Sequence, residues 1–434
     1  MQIQQTGCPC GRSHKASMDQ IIVGSGVLQQ LPTLVKQYGA KAFLLADINT
    51  WKAAGEQTAA LLKEAEIPVS CHIFKDAALE PDEAAVGGAF MHFDPGCDVI
   101  VGVGSGVIND IGKILSHISG KSYIIVATAP SMDGYASATS SMSRDGLKVS
   151  INSRCADVIL GDTDILRQAP MEMLRSGIGD MLAKYVSIAE WRIAHLITGE
   201  YYCESVAQLI RSAVKTCGDN ARALMERRGE AVEAVFRGLV MGGVAMAYAG
   251  VSRPASGVEH YFSHVWDMRG LTFGTRTQTH GIQCAVATGL AVKLYEKVAA
   301  MTPCEETANA YVNAFSWEDW KTQLRAFLGS SAEAMIALEE KEGKYRKETH
   351  PARFRRICEN WDNILQILRE ELPDAKELDA LLDTLGICKD PAAFGVDPET
   401  LRQTFRASKD IRDKYVLSRL AWDLGVLDEL ADSL

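Results

Sequence analysis

The chain has 434 residues, long enough for two or three domains, and 45 Lys plus Arg against 55 Asp plus Glu leave a formal net charge of −10. That acidic balance argues against a protein that neutralises nucleic-acid phosphates, and 47% hydrophobic with 23% charged residues excludes a disordered polymer. No stretch approaches the roughly 18 consecutive apolar residues of a membrane span, so neither a nucleic acid nor a membrane is an expected partner. The opening Met1-Gln2-Ile3-Gln4-Gln5-Thr6 lacks the basic and apolar regions of a signal peptide. Eleven cysteines, an odd number without framework spacing, fit reduced thiols, and the expected location is the cytoplasm.

In chain order, Cys8-Pro9-Cys10-Gly11-Arg12-Ser13-His14 comes first. Two thiols and an imidazole suit a soft metal, but no fourth donor is near in sequence, and a loose N-terminal segment is the competing reading. From about Ile21 to Leu160, short apolar or β-branched runs alternate with helix-length segments. The runs are Ile21–Val23, Ala42–Ala46, Val69–Phe74, Val99–Val103 and Tyr123–Ala127, with helical patterns over Thr50–Ala65 and Pro81–Phe93 between them. Strand, helix, strand, helix predicts a parallel, doubly wound α/β sheet, a Rossmann-like domain. Lys148 to Leu160 reads as a closing hairpin or strand pair. Beyond Asp162 the pattern is helical, so the boundary is drawn there: residues 1–162 form the α/β domain and 163–434 an all-helical domain. The charged tail from about Trp317 belongs to the helical part.

Within the first domain, Gly104-Ser105-Gly106-Val107-Ile108-Asn109-Asp110 follows a strand and opens a helix. Glycines there let a pyrophosphate approach the backbone, and the helix start offers N–H groups and a positive dipole end, although such turns also close strands for structural reasons alone. Asp47 ends the second run, where it would bind a ribose hydroxyl or cap a helix. Three of the nine histidines fall in Gly257–His264 and Thr277–Gly281. His260 and His264 are i, i+4 on one helix face, and His280 begins another helix, a pattern able to hold a divalent ion if a carboxylate joins. Asp180, beside Gly177 and Gly179, is the candidate; the alternatives are a core histidine and a helix cap.

These segments, with Ala129-Pro130-Ser131-Met132-Asp133-Gly134-Tyr135-Ala136-Ser137, Gly177–Lys184 and Ser252–His260, occur in the order seen in the superfamily of glycerol dehydrogenase, iron-type alcohol dehydrogenase and 3-dehydroquinate synthase. Nearly the whole chain resembles the sn-glycerol-1-phosphate dehydrogenase branch, and Lys409–Tyr415 resembles its longer bacterial members. The resemblance implies Asp180, His260 and His280 as metal ligands, with zinc first and nickel or iron next. It implies NAD or NADP on Gly104, Ser105, Gly106, Val107, Asn109 and Asp110, with Thr128 and Ser131 lining the cofactor site. Asp133 matches a substrate-side aspartate, and His264 is placed to orient substrate or relay a proton. The implied reaction is reversible reduction of dihydroxyacetone phosphate, with Lys148, Lys184 and Arg253 as candidate cations for its phosphate, and a homodimer is expected. A polyol dehydrogenase on unphosphorylated glycerol, a dehydroquinate-synthase-like lyase and a non-catalytic relative are the rival readings. Ile282 stands after His280-Gly281 where glycerol dehydrogenases and dehydroquinate synthases usually have Glu, and Asp180 where dehydroquinate synthase has Glu.

Overall fold

The computed structural model describes residues 4–5, 7–144 and 147–434, so most of the opening hexapeptide lies outside the described residues. The chain divides into two compact units. The first comprises Met1–Met181 with Gln208–Val251, the second Leu182–Ala207 with Ser252–Leu434. The end of the β pattern at residue 162 therefore marks the end of the sheet, while the first unit also takes in later helices.

The sheet of the first unit has six parallel strands: β1 Gln20–Gly24, β2 Ala42–Asp47, β3 Val69–Phe74, β4 Val99–Gly104, β5 Ser122–Ala127 and β6 Val158–Asp162. Their order is β1-β6-β5-β4-β2-β3. Every residue of β2 and β4 is buried, as expected of parallel strands covered by helices on both faces. One face packs Leu44, Ala46, Val101, Val103, Ile124, Val126 and Leu160 into a core with Leu28, Leu31, Leu34 and Leu62. Strand order reverses between β2 and β4. In a doubly wound sheet, the ends of strands at such a switch are where ligands bind.

The strand pair expected over Lys148–Leu160 is shifted. The hairpin pairs Thr139–Arg144 with Leu147–Asn152, and Val158–Asp162 is the last strand of the main sheet, inserted between β1 and β5. The first hairpin strand is rich in Ser and Thr, and Ser140 and Met142 alternate inward. The first unit also holds helices α1 Gly106–Ser119, α2 Met171–Leu182 to Met181, and α4 Gly229–Ala249. Among the described residues α4 alone is long and apolar enough to cross a membrane, and 67% of its apolar window is buried inside the protein.

The second unit is helical. Its α3 Lys184–Thr198 packs against α5 Val258–Phe273 and α6 His280–Ala299. The tail adds short helices, among them His350–Glu359 and Trp361–Glu371, separated at Asn360.

Candidate active site

In the first unit, β4 ends at Gly104 and α1 begins at Gly106, so the predicted strand–turn–helix is present. Thr128 N–H donates to Gly104 O at 3.0 Å, and the Ser105 and Ser131 hydroxyls lie 2.5 Å apart, so Gly104, Ser105, Thr128 and Ser131 are brought together. Ser105, at the head of α1, makes no side-chain cap, which leaves the leading N–H groups as donors for an anion. The glycines separate into two kinds. A Cβ on Gly104 would strike Ile108 Cβ at 2.5 Å, so that glycine is demanded by packing. A Cβ on Gly106 would meet only Met132, at an ordinary 3.6 Å, among the described residues. No contact among the described residues demands glycine at 106, and the bare backbone fits a close ligand phosphate. Two predicted cofactor residues have their side chains engaged elsewhere. Asn109 is fully buried and donates to Gly134 O at 3.2 Å, and Asp110 pairs with the buried Lys113 at 2.8 Å.

Asp47 stands at the end of β2, beside β4 at the switch of strand order. Its Oδ1 accepts from Asn49 N and Thr50 N at 2.7 and 2.9 Å in a capping box. The cap is thus present, in a position that also suits a ribose hydroxyl.

Asp180 is fully buried on α2, and its Oδ2 accepts from Asp133 N at 2.9 Å. Gly177 permits this approach. Its Cβ would lie 1.8 Å from Pro130 O, so any side chain would push α2 off the loop that carries Ser131 and Asp133. Ser176 Oγ donates to Ser131 O at 2.9 Å and fastens the same contact. Asp133 packs on α4, where a Cβ at Gly242 would already come within 3.3 Å of its Oδ2.

In the second unit, His260, His264 and His280 come together. Ring centroids are 5.1 Å apart for His260 and His280, 6.5 Å for His260 and His264, and 6.1 Å for His264 and His280. Glu259 Oε1 accepts from His260 Nδ1 at 2.8 Å, and Ser263 Oγ lies 3.1 Å from His280 Nδ1. Both rings are thereby oriented through Nδ1, which leaves Nε2 as the nitrogen that could take a metal ion. Cys284, one turn after His280, brings its Sγ within 3.7 Å of His280 Nε2, and the three donors lie within 4.8 Å of one another. Two oriented imidazoles with a soft third donor suit a borderline divalent ion. Burial pushes the Cys284 thiol up, but His260 and His280 outweigh it and leave the group below its ordinary value. Desolvation, with like charge from Arg412, His280, His260 and Lys414, holds His264 well below the ordinary histidine range, so it is neutral.

Glu259 is itself backed by Glu190. Gly257 N donates to Glu259 Oε1 at 2.7 Å and Val258 N to Glu190 Oε2 at 2.9 Å, so the two buried carboxylates together hold the start of α5. Among the three cations named from sequence, Arg253 is almost wholly buried and clasps Glu200 through Nε and Nη2 at 2.6 and 2.5 Å, with Nη1 on Tyr415 O. Its charge is engaged. Lys184 is fully buried, and Lys148 is half-buried on the hairpin. Sequence reasoning missed Glu190, Glu259, Cys284, Arg412 and Lys414 as neighbours of the histidines. Lys414 donates to Ser256 O at 2.8 Å just ahead of α5. In the sequence the run Lys409–Tyr415 is only a motif, since nothing in its composition says that it returns to the histidine helix.

A family model described as iron-containing alcohol dehydrogenase matches residues 22–170. The chain is 34% identical over 297 residues to a glycerol-1-phosphate dehydrogenase, NAD(P)+, of Halalkalibacterium halodurans, covering 67% of this chain and 74% of that one. With the protein of the same name from Geobacillus thermodenitrificans it shares 28% identity over 410 residues, 93% of this chain and 92% of that one. Among solved structures, 1,3-propanediol oxidoreductase superposes with a TM-score of 0.64 at 16% identity, covering 97% and 100% of the two chains. Glycerol dehydrogenase from Schizosaccharomyces pombe does so with 0.58 at 18%, covering 96% and 91%. At those identities the structures speak for the fold alone.

Proposed function

Because the chain belongs to the glycerol-1-phosphate dehydrogenase family, a family of oxidoreductases, we propose that it passes a hydride between NAD(P)H and C2 of dihydroxyacetone phosphate, giving sn-glycerol 1-phosphate reversibly. The observation that carries this reading is the cluster of His260, His264 and His280, with the first and last oriented through Nδ1 by Glu259 and Ser263. His260 and His280 would hold a divalent ion, zinc first and nickel or iron next, and Asp180 is assigned to the same ion by sequence resemblance. When bound, that ion supplies an electrophile at the ketone oxygen.

The remaining work falls to side chains of the chain. As hydride arrives at C2 a proton must reach the oxygen, and His264, neutral and one turn from His260, is the group we assign to relay it. Asp133 is assigned to orient the substrate hydroxyls. The N-terminal N–H groups of α1 and the open face of Gly106 support binding of the cofactor pyrophosphate. Asp47 favours NAD over NADP, because a carboxylate repels a 2′-phosphate. For the substrate phosphate, Lys148 and Lys184 remain candidates. Arg412, whose charge is felt at His264, joins them, while the fork to Glu200 speaks against Arg253. A cytoplasmic homodimer is the assembly we propose.

The test is oxidation of NADH and of NADPH with dihydroxyacetone phosphate and with dihydroxyacetone, each with and without chelator. Strong preference for the phosphate ester and loss of rate on chelation are expected. Equal or better rates with dihydroxyacetone would transfer the assignment to a polyol dehydrogenase.

A further inference from the structure

The N-terminal segment contains a second cluster of metal-binding side chains, apart from the histidines of the second unit. Cys8, Cys10 and His14 bring their Sγ and ring nitrogen atoms within 4.8 Å of one another. Cys10 Sγ lies 3.3 Å from His14 Nε2, close to the S···N separation of about 3.5 Å that a tetrahedral ion with a 2.3 Å bond to sulfur and a 2.0–2.1 Å bond to nitrogen would set. The other ring nitrogen, His14 Nδ1, lies 2.9 Å from Tyr248 O, and the two rings stack at 5.4 Å.

That second contact selects the tautomer. A carbonyl oxygen can only accept, so Nδ1 carries the hydrogen and Nε2 presents its lone pair toward Cys10. The same bond satisfies one of the carbonyls in the last turn of α4, where no intrahelical donor follows. His14 is 1% exposed and Cys8 7%, so an imidazole and a thiol have been withdrawn from water beside a helix end. With the three donor atoms already gathered to within 4.8 Å, little rearrangement separates the folded segment from a metal-bound one.

We propose that Cys8, Cys10 and His14 bind a structural zinc ion that fastens the N-terminal segment to the C-terminal end of α4. Binding converts two thiols to thiolates and releases two protons, while His14 keeps its Nδ1 hydrogen on Tyr248 O. Water or a further thiolate of the chain completes the four-coordinate shell. The ion is distinct from the one proposed at His260 and His280, and it takes no part in hydride transfer.

The experiment is metal analysis with X-ray absorption at the zinc edge, on full-length protein made in zinc-supplemented medium. Three proteins are compared: wild type, the double variant His260→Ala/His280→Ala, and the double variant Cys8→Ser/Cys10→Ser. The histidine variant should keep one zinc per chain, with at least two sulfur neighbours at about 2.3 Å. Cys284 alone cannot supply that shell. The cysteine variant should lose this zinc and keep its other metal. Should the cysteine variant fail to fold, cobalt substitution of the histidine variant decides the question through a thiolate-to-cobalt charge-transfer band. A histidine variant that carries no zinc, a zinc without sulfur neighbours, or a wild type whose Cys8 and Cys10 purify as a disulfide would overturn the proposal.

Discussion

At the residue scale, Glu259 and Ser263 hold His260 and His280 through Nδ1, so under the proposed metal assignment they act on the ion only through those rings. Removing a carboxylate behind a ligating imidazole typically costs 10- to 100-fold in metal affinity. Glu259→Ala is therefore expected to weaken the ion by about that factor, read by competition with a chromophoric chelator, while the fold stands. Glu259→Gln, which still accepts from His260 Nδ1 and Gly257 N, should lose less. Arg253 supplies the opposite case, a charged residue near the site whose work is structural. Its fork to Glu200 is buried on the Arg253 side, and breaking such a pair costs about 3 kcal/mol. Arg253→Ala should lower the unfolding midpoint and slow dihydroxyacetone phosphate and dihydroxyacetone alike. A selective loss with the phosphate ester would return Arg253 to the phosphate site. Arg412→Ala should produce that selective loss, about ten- to a hundredfold in kcat/KM for the ester, because a charge-assisted phosphate contact contributes roughly 1.5–3 kcal/mol.

Among the elements, the turn between β4 and α1 has one glycine for packing and one for access. Gly104→Ala drives a Cβ into Ile108 and is expected to destabilise by about 1–3 kcal/mol. Gly106→Val should fold, since its Cβ meets Met132 at an ordinary distance, and should raise KM for NADH far more than KM for the ketone. Equal shifts in both constants would make this turn structural only. A second element-level device is Glu190 on α3. It accepts from Val258 N at the head of α5, from the Tyr295 hydroxyl on α6 and from Leu417 N in the tail. Burial first, then the charge of Glu259, pushes its pKa up to about 8 from an ordinary 4.5. Between those values the folded chain holds a proton that the unfolded chain has released. The stability it contributes is therefore fully present below the ordinary value, declines as pH rises through the interval, and is gone above about 8. Denaturant midpoints measured across that range should fall with pH in the wild type, and Glu190→Gln should flatten the slope.

Considered as a whole, the chain keeps the Gly104–Gly106 turn and Asp47 in the first unit and its histidine cluster in the second. His260→Ala and His280→Ala should each lose the catalytic ion and nearly all turnover while far-ultraviolet circular dichroism is retained. Asp180→Ala separates a ligand from a loop anchor, because loss of the bond from Asp133 N alone costs about 1 kcal/mol and no metal. Retained metal with a modest drop in stability would remove Asp180 from the ligand set.

The parallel sheet, the strand–turn–helix at Gly104–Gly106 and the pairing of His260 with His264 were legible because each rests on local periodicity: apolar runs of strand length, glycines at a strand end, and an i, i+4 spacing. The family resemblance was legible for a similar reason, since it lives in short ordered motifs. Other features depend on distant partners. Arg253 cannot be ranked without Glu200, 53 residues earlier, and Lys414 gains its meaning only by reaching Ser256, 158 residues back. The polar strand Thr139–Arg144 declares itself only through its pairing with Leu147–Asn152. His14, set aside in the sequence as part of a loose segment, becomes an oriented ligand only when folding brings Tyr248 O, 234 residues away, against its Nδ1. Periodicity dictates which face of an element is apolar, but the charge state and partner of a buried polar group are decided by whatever the tertiary fold packs against it.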